Sequence, residues 1–368
     1  MNLLFFQNCI SPHQIPYIRE CAKDERVERV HLIVPRADYV LRKDMGWDST
    51  HLLDNTSVQL WLKPTDEQVI QLLKETKDSI CLYTGVRADA DVFRWLKLSL
   101  NYPVKRGIIT EPPNVYPTKP LWLHYIRFLL QDYVYVKYIH YVFAFGNLAV
   151  KYYRFWSKKW SVIPFAYCTD NARAINCSCP LVTDKLRLIF VGSLTRNKNV
   201  VSVLKALSAI QDDTLFFDIV GDGEERKHLE DFVVKNQVRN VTFYGYLPMN
   251  GVSSVMNQAD ILVLPSHYDG WGAVVNEALQ LGLYVICSKH CGSKSLLVND
   301  RIGFIYHSYQ ELRDKIQNVI LNREQIKKER LYRKKWADAI SGESISKYLI
   351  DNLCNSIGNE IVEPWKRM

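Results

Sequence analysis

Residues 259–282, ADILVLPSHYDGWGAVVNEALQLG, decide the fold. An apolar run closes at Pro265-Ser266, a short polar loop follows, and Gly270-Trp271-Gly272 opens a helical pattern that carries one carboxylate, Glu277, among Val274, Val275, Ala278 and Leu279. Glycines let a backbone approach a ligand closely, amide groups at a helix start favour anionic oxygens, and a carboxylate farther along accepts hydrogen bonds from hydroxyls. The stretch therefore suits a phosphorylated, hydroxyl-rich ligand. The plainer reading is a strand-loop-helix connection in which Asp269 caps and Glu277 faces solvent.

Working outward, the carboxy-terminal half alternates strand and helix patterns. Strand-like runs fall at 186–193, 215–222, 241–247, 259–266, 283–288 and 303–308, with helix-like runs at 200–210, 224–235 and 273–281 between them. That order implies a parallel sheet covered on both faces. Strand candidates at 2–8, 30–35, 58–64, 80–85 and 106–111 repeat the plan less cleanly in the amino-terminal half. A chain of 368 residues suits two domains, each of about 150–200 residues. The expected division is 1–168 and 181–340, because 168–180, CTDNARAINCSCP, is polar, aperiodic and ends in Pro. Beyond a basic helix-like stretch, Arg323 to Lys335, the tail 341–368 holds a further helix candidate, Ser344 to Leu353.

A hydrophobic content of 48% against 23% charged supports packed cores rather than disorder. Nine scattered cysteines argue for a reducing compartment, and the close pair Cys177 and Cys179 has no neighbouring pair or His cluster to complete a zinc site. The start, MNLLFFQNCI, lacks a positive region and a small-residue cleavage site, so it reads as a first strand. The longest apolar stretch, Tyr133 to Val150, is interrupted by Lys137 and His140 and is too short to span a bilayer. A cytoplasmic protein is expected.

Asp269 and Glu277, with seven residues including the glycines between them, resemble the acid-x7-Glu motif of family 4 retaining glycosyltransferases of the GT-B fold. The resemblance implies two doubly wound Rossmann-like domains facing a central cleft, with the tail helix crossing back to the first domain. It also implies that Glu277 holds the ribose of a nucleotide-sugar donor, while Asp269 and the amides of Gly270, Trp271 and Gly272 address the donor sugar and phosphates. Asp269 stands where Glu is usual. Gly192-Ser193-Leu194 followed by Lys198 resembles the Gly-Arg-Leu-x-x-x-Lys segment that holds the diphosphate; Ser193 replaces the Arg, and Arg196 is the candidate substitute. Val220 to Gly223 resembles a Val-Gly-Asp-Gly turn, read as structural. Tyr246 and Leu247 end the strand that borders the base in relatives, where they would touch the base or belong to the core.

In the amino-terminal half the loop 7–14 after the first strand lacks the usual Gly-Gly; Asn8, Ser11 and His13 offer polar groups instead, with His13 the candidate contact for acceptor or donor phosphate and a helix-capping loop the competing reading. Glu111 ends a strand where relatives present a His to the donor sugar; there it would orient an acceptor hydroxyl or cap its loop. The resemblance implies a metal-independent, cofactor-free reaction with a UDP- or GDP-sugar as substrate, helped by charge stabilisation on the departing diphosphate.

Residues 101–180 carry ten Lys or Arg against three acids, interleaved with many aromatic rings. That composition suits an anionic membrane surface, with Arg154, Phe155, Trp156, Lys158, Lys159 and Trp160 the best surface candidates. Burial of the rings and stacking on single-stranded nucleic acid are the other readings, the last disfavoured because the charge excess is so local. The expectation is a transferase on the inner face of the cytoplasmic membrane, moving sugar to a saccharide or polyprenyl-linked acceptor in bacterial surface polysaccharide synthesis. A GT-B nucleotide-sugar epimerase and a non-catalytic GT-B partner remain alternatives.

Overall fold

Each strand-like run named above becomes a parallel strand, and most of the loops that follow lead into helices. The computed structural model describes residues 1–38, 49–76, 78–114, 116, 120–156, 160–169, 184–355 and 362–367. Lys158, Lys159, Cys177, Cys179 and nearly all of the expected boundary at 168–180 lie outside the described residues. The chain divides into two units, residues 1–170 with 339–367, and residues 171–338.

The first unit is built from β1 (Asn2–Phe6), α1 (Ile15–Cys21), β2 (Arg29–Val34), β3 (Gln59–Leu62), α2 (Asp66–Glu75), β4 (Ser79–Thr84), α3 (Ala90–Ser99), β5 (Lys105–Thr110), α4 (Leu121–Arg127), β6 (Tyr141–Phe145), α5 (Gly146–Trp156) and β7 (Ser161–Phe165). Its strands lie in the order β3-β2-β1-β4-β5-β6-β7, all parallel, with Phe5 beside Leu32 on one side and Leu82 on the other. The central strands are buried on both faces, which explains why their sequences run apolar without alternation.

The second unit holds β8 (Leu186–Val191), α6 (Val200–Ile210), β9 (Leu215–Val220), α7 (Arg226–Lys235), β10 (Val241–Gly245), α8 (Met249–Gln258), β11 (Ile261–Leu264), α9 (Val274–Gln280), β12 (Tyr284–Ser288), β13 (Gly303–Tyr306), α10 (Tyr309–Leu321), α11 (Arg323–Lys328) and α12 (Arg330–Trp336). The order is β10-β9-β8-β11-β12-β13, again all parallel. The chain winds one way from β8 to β10 and the other way from β11 to β13. The reversal between β8 and β11 opens a crevice beyond their carboxyl ends, where doubly wound sheets take ligands.

The tail helix α13 (Gly342–Cys354) belongs to the first unit. A side chain at Gly342 would meet the Pro16 carbonyl at 2.8 Å, so glycine lets α13 start hard against α1. The Ser346 hydroxyl lies 3.3 Å from the buried Cys21 sulfur, whose thiol burial pushes up to about 12, and Arg26 pairs with Asp351 at 2.8 Å.

The aromatic stretch is partly interior. Trp160 is buried, its indole donating to the Val136 carbonyl at 2.9 Å, and Trp156 is half-buried against Phe128. Neither is the surface ring expected; Phe155, 69% exposed, is.

Candidate functional site

The loop after β8 is shaped by backbone packed against backbone. A Cβ on Gly221 would sit 2.0 Å from the Gly192 carbonyl oxygen, and φ there is +124°, so only glycine lets the turns after β8 and β9 touch. Buried Leu194 locks the contact, donating its amide to Asp222 at 2.9 Å and accepting from the Glu225 amide at 3.0 Å. The Val220–Gly223 turn is structural, as its residue types imply. Asp222 accepts from the Gly223 amide at 2.7 Å and pairs with Arg226 at 2.7 Å rather than capping α7, whose N-cap is Glu225.

Four hydrogen bonds then tie the β8 loop to the β11 loop across the crevice. Asn197 donates to the Tyr268 carbonyl at 2.9 Å and accepts from its amide at 3.0 Å. The His267 amide donates to the Asn197 carbonyl at 2.8 Å, and Asn199 donates to Pro265 at 3.2 Å. Between these ties the Lys198 ammonium reaches Asp269 Oδ2 at 2.6 Å, with side-chain exposures of 23% and 15%. Two residues 71 apart in sequence are thus one charged pair at the switch point.

The glycines after Asp269 do not open the helix directly; α9 begins at Val274, and Gly270 to Gly272 form the approach to it. Trp271 is buried and its indole donates to Asn276 at 2.8 Å, so the indole serves to hold the loop. Gly272 has φ +88°, and a Cβ there would lie 3.6 Å from the Asp269 carboxyl carbon. Glu277 stands half-buried in the first turn of α9. The loop after β12 closes this side: the Gly292 amide donates to Asp269 at 3.0 Å and the Ser293 amide to Trp271 at 2.8 Å. His290, whose carbonyl accepts the Asp269 amide at 3.3 Å, has its imidazole held down by burial and by Lys289 and Lys294.

The remaining candidates fall at the rim. Ser193 is exposed, and Arg196 is 83% exposed with Nε 3.3 Å from Glu225, so its guanidinium meets Glu225 and not the Lys198–Asp269 pair. Tyr246, 54% exposed, donates to the Asp222 carbonyl at 3.4 Å, and Leu247 is half-buried beside it in the chain.

In the first unit, Glu111 accepts from the Tyr167 hydroxyl at 2.8 Å, and the Tyr167 ring lies 6.2 Å from that of His13. Burial, then the Glu111 carboxylate, pushes the Tyr167 phenol well above its usual range, so it stays a donor. Tyr167, which joins the two predicted residues, and the clamp Asn197 are functional candidates the sequence reading missed. Tyr167 follows β7, itself unread because Pro164 interrupts it; Asn197 sits inside a quoted motif at a position with no motif value.

Residues 178–336 match the family model for glycosyl transferases group 1. An uncharacterized glycosyltransferase of Methanocaldococcus jannaschii, MJ1178, is 30% identical over 138 residues, 37% of this chain and 38% of that protein. The putative teichuronic acid biosynthesis glycosyltransferase TuaC of Bacillus subtilis is 34% identical over 116 residues, 32% of this chain and 28% of its own length. The chain thus spans well under half the length of these curated relatives. Among solved structures, Anabaena HepE in complex with UDP aligns over 96% of this chain and 99% of its own with a TM-score of 0.71 at 16% identity, a likeness of fold. The match to the glycosyl transferases group 1 model falls where the motif resemblance was strongest, at residues 178–336, and the chain has the GT-B fold.

Proposed function

We propose that the chain is a retaining glycosyltransferase of the family 4 type, with a nucleotide-sugar-binding carboxy-terminal unit and an acceptor-binding amino-terminal unit. The observation that carries this reading is the Lys198–Asp269 pair, 2.6 Å apart between two clamped loops at the switch point. A nucleotide-sugar diphosphate brings two negative charges to that crevice and competes with Asp269 for the Lys198 ammonium. Asp269, released, becomes an acceptor for donor-sugar hydroxyls, and Glu277 for those of the ribose. The amides of Gly270, Trp271 and Gly272 would address the same phosphates, and Tyr246 with Leu247 would offer a surface to the base.

When the anomeric carbon–phosphate oxygen bond breaks, charge grows on the departing diphosphate, and Lys198 with the loop amides would meet it. The acceptor oxygen bonds to the anomeric carbon on the face the diphosphate leaves, and its proton passes to a diphosphate oxygen. Glu111, His13 and Tyr167 would orient the acceptor hydroxyl. UDP is the nucleotide in the HepE complex, and TuaC is named for teichuronic acid, which supports a UDP-sugar and a surface polysaccharide. No helix among the described residues is long and apolar enough to cross a membrane, so an acceptor at the inner face of the cytoplasmic membrane would be met peripherally.

The test is donor turnover. Incubated with UDP-, GDP- and ADP-sugars, the protein should hydrolyse at least one slowly, and NMR of the first-released sugar should show the donor's anomeric configuration. Release with inverted configuration rules out the retaining course; hydrolysis of none rules out the transferase.

A further inference from the structure

The run from Leu121 to Tyr138 is apolar on both sides. Helix α4 continues through a wide π turn, Phe128–Asp132, into a tighter 3-10 stretch, Tyr133–Tyr138. Its inner side is occupied: Phe128 is buried and stacks on Trp156 with centroids 4.5 Å apart, and Tyr125 packs on Tyr152 at 5.0 Å. Its outer side is not. Trp122, Ile126, Leu129, Leu130, Tyr133 and Val134 are each between 47% and 75% exposed. All six are on the exposed side of a continuous run whose Phe128 and Tyr125 pack inward. An exposed apolar ridge of this kind marks a contact surface.

The charge around the ridge names what covers it. Residues 121–156 contain Arg127, Lys137, Lys151 and Arg154 but one carboxylate, Asp132, and Asp132 is held by Arg87 at 2.5 Å. Arg127 and Lys137, both exposed on the run itself, therefore give the ridge a positive rim. A second copy would set this rim against its own like charge, whereas an anionic bilayer offers hydrocarbon to the ridge and negative headgroups to the rim. Trp122 and Tyr133 are the ring types that settle at that boundary.

We infer that the outer face of residues 121–138 lies in the surface of an anionic membrane, the ridge dipping into the acyl boundary and the cations at the headgroups. This deepens the proposed function by naming how a membrane-held acceptor is approached, yet it stands on the first unit alone.

The full chain, sedimented with vesicles of phosphatidylcholine and phosphatidylglycerol, should partition onto them, and far less onto phosphatidylcholine alone. The double variant Leu129→Glu/Leu130→Glu should lower that partition roughly tenfold or more, with its unfolding temperature and nucleotide-sugar response unchanged. Arg127→Gln/Lys137→Gln should weaken binding less and flatten its salt dependence. Three results overturn the inference: no binding of the wild type to the mixed vesicles, wild-type binding by the glutamate variant, or a lipid-free dimer in sedimentation velocity that the glutamate variant dissociates. Loss of vesicle binding with the nucleotide-sugar response intact concerns this face; absence of that response in the wild type concerns the proposed reaction.

Discussion

Lys198 and Asp269, carried on loops that end different strands, meet at 2.6 Å while both remain partly open to solvent. A lysine held by one carboxylate is already placed for a stronger anion, since the pair fixes the ammonium without burying it. Lys198→Ala should weaken transition-state binding by about 1.5–3 kcal/mol, the usual worth of a charged hydrogen bond. Steady-state kcat/KM for donor turnover reads this directly, and wild-type turnover would remove Lys198 from the site.

Asp269→Asn separates the two halves of the pair. It leaves the ammonium without its competing carboxylate, so affinity for the bare nucleoside diphosphate should hold or rise, while turnover of the sugar donor falls by ~10-fold or more, about 1.4 kcal/mol. Calorimetry with the diphosphate alongside kinetics with the donor checks both directions. A parallel loss of both would make Asp269 a scaffold residue only.

Asn197 is the hinge pin between the loops, and Asn197→Ala removes both of its side-chain hydrogen bonds to Tyr268. The expected cost is about 1–3 kcal/mol in urea unfolding, accompanied by weaker donor binding because Lys198 and Asp269 are no longer held in register. Unchanged stability would show that the clamp is incidental.

Gly292 lies so close to the other loop that a Cβ would fall 2.1 Å from the Gly270 carbonyl oxygen. Gly292→Ala must push Gly270 and Trp271 away, at about 1–3 kcal/mol as for overpacking. Its thermal response to donor should shrink more than that of a variant equally destabilised in the first unit.

A pH effect on stability is expected from His31, which is buried and accepts from the Trp61 indole at 3.1 Å. Burial, and then Arg29, holds its imidazole below the ordinary 6.5. The unfolded chain takes up the proton near 6.5 and the folded chain only lower, so this contribution is complete above that value and is lost as pH falls beneath it. Unfolding temperatures across this window should drop toward acid, and less steeply in His31→Gln.

The sequence made the parallel sheets legible because buried strands read as apolar runs: β1 and β8 to β13 lie within the quoted stretches, and β2 and β4 overrun theirs by one residue at the start. Strand β7 escaped, since Pro164 on a sheet edge hides it, and Tyr167 escaped with it. Trp160 and Trp156 were misread as surface because composition does not say which rings pack inward; the exposed ridge instead lies at 122–134. Lys198 and Asp269 were each visible as motif residues, but their pairing was not, because no local pattern encodes a contact across 71 positions.

Titration of the wild-type chain and Lys198→Ala with UDP-, GDP- and ADP-sugars, followed by thermal unfolding, tests the central claim most directly. At ~100 times its dissociation constant a true donor adds about 2.7 kcal/mol to the wild type, and the variant should lose most of that shift. Failure of every nucleotide sugar to stabilise the wild type, or equal stabilisation of both proteins, would contradict a donor grip built on Lys198.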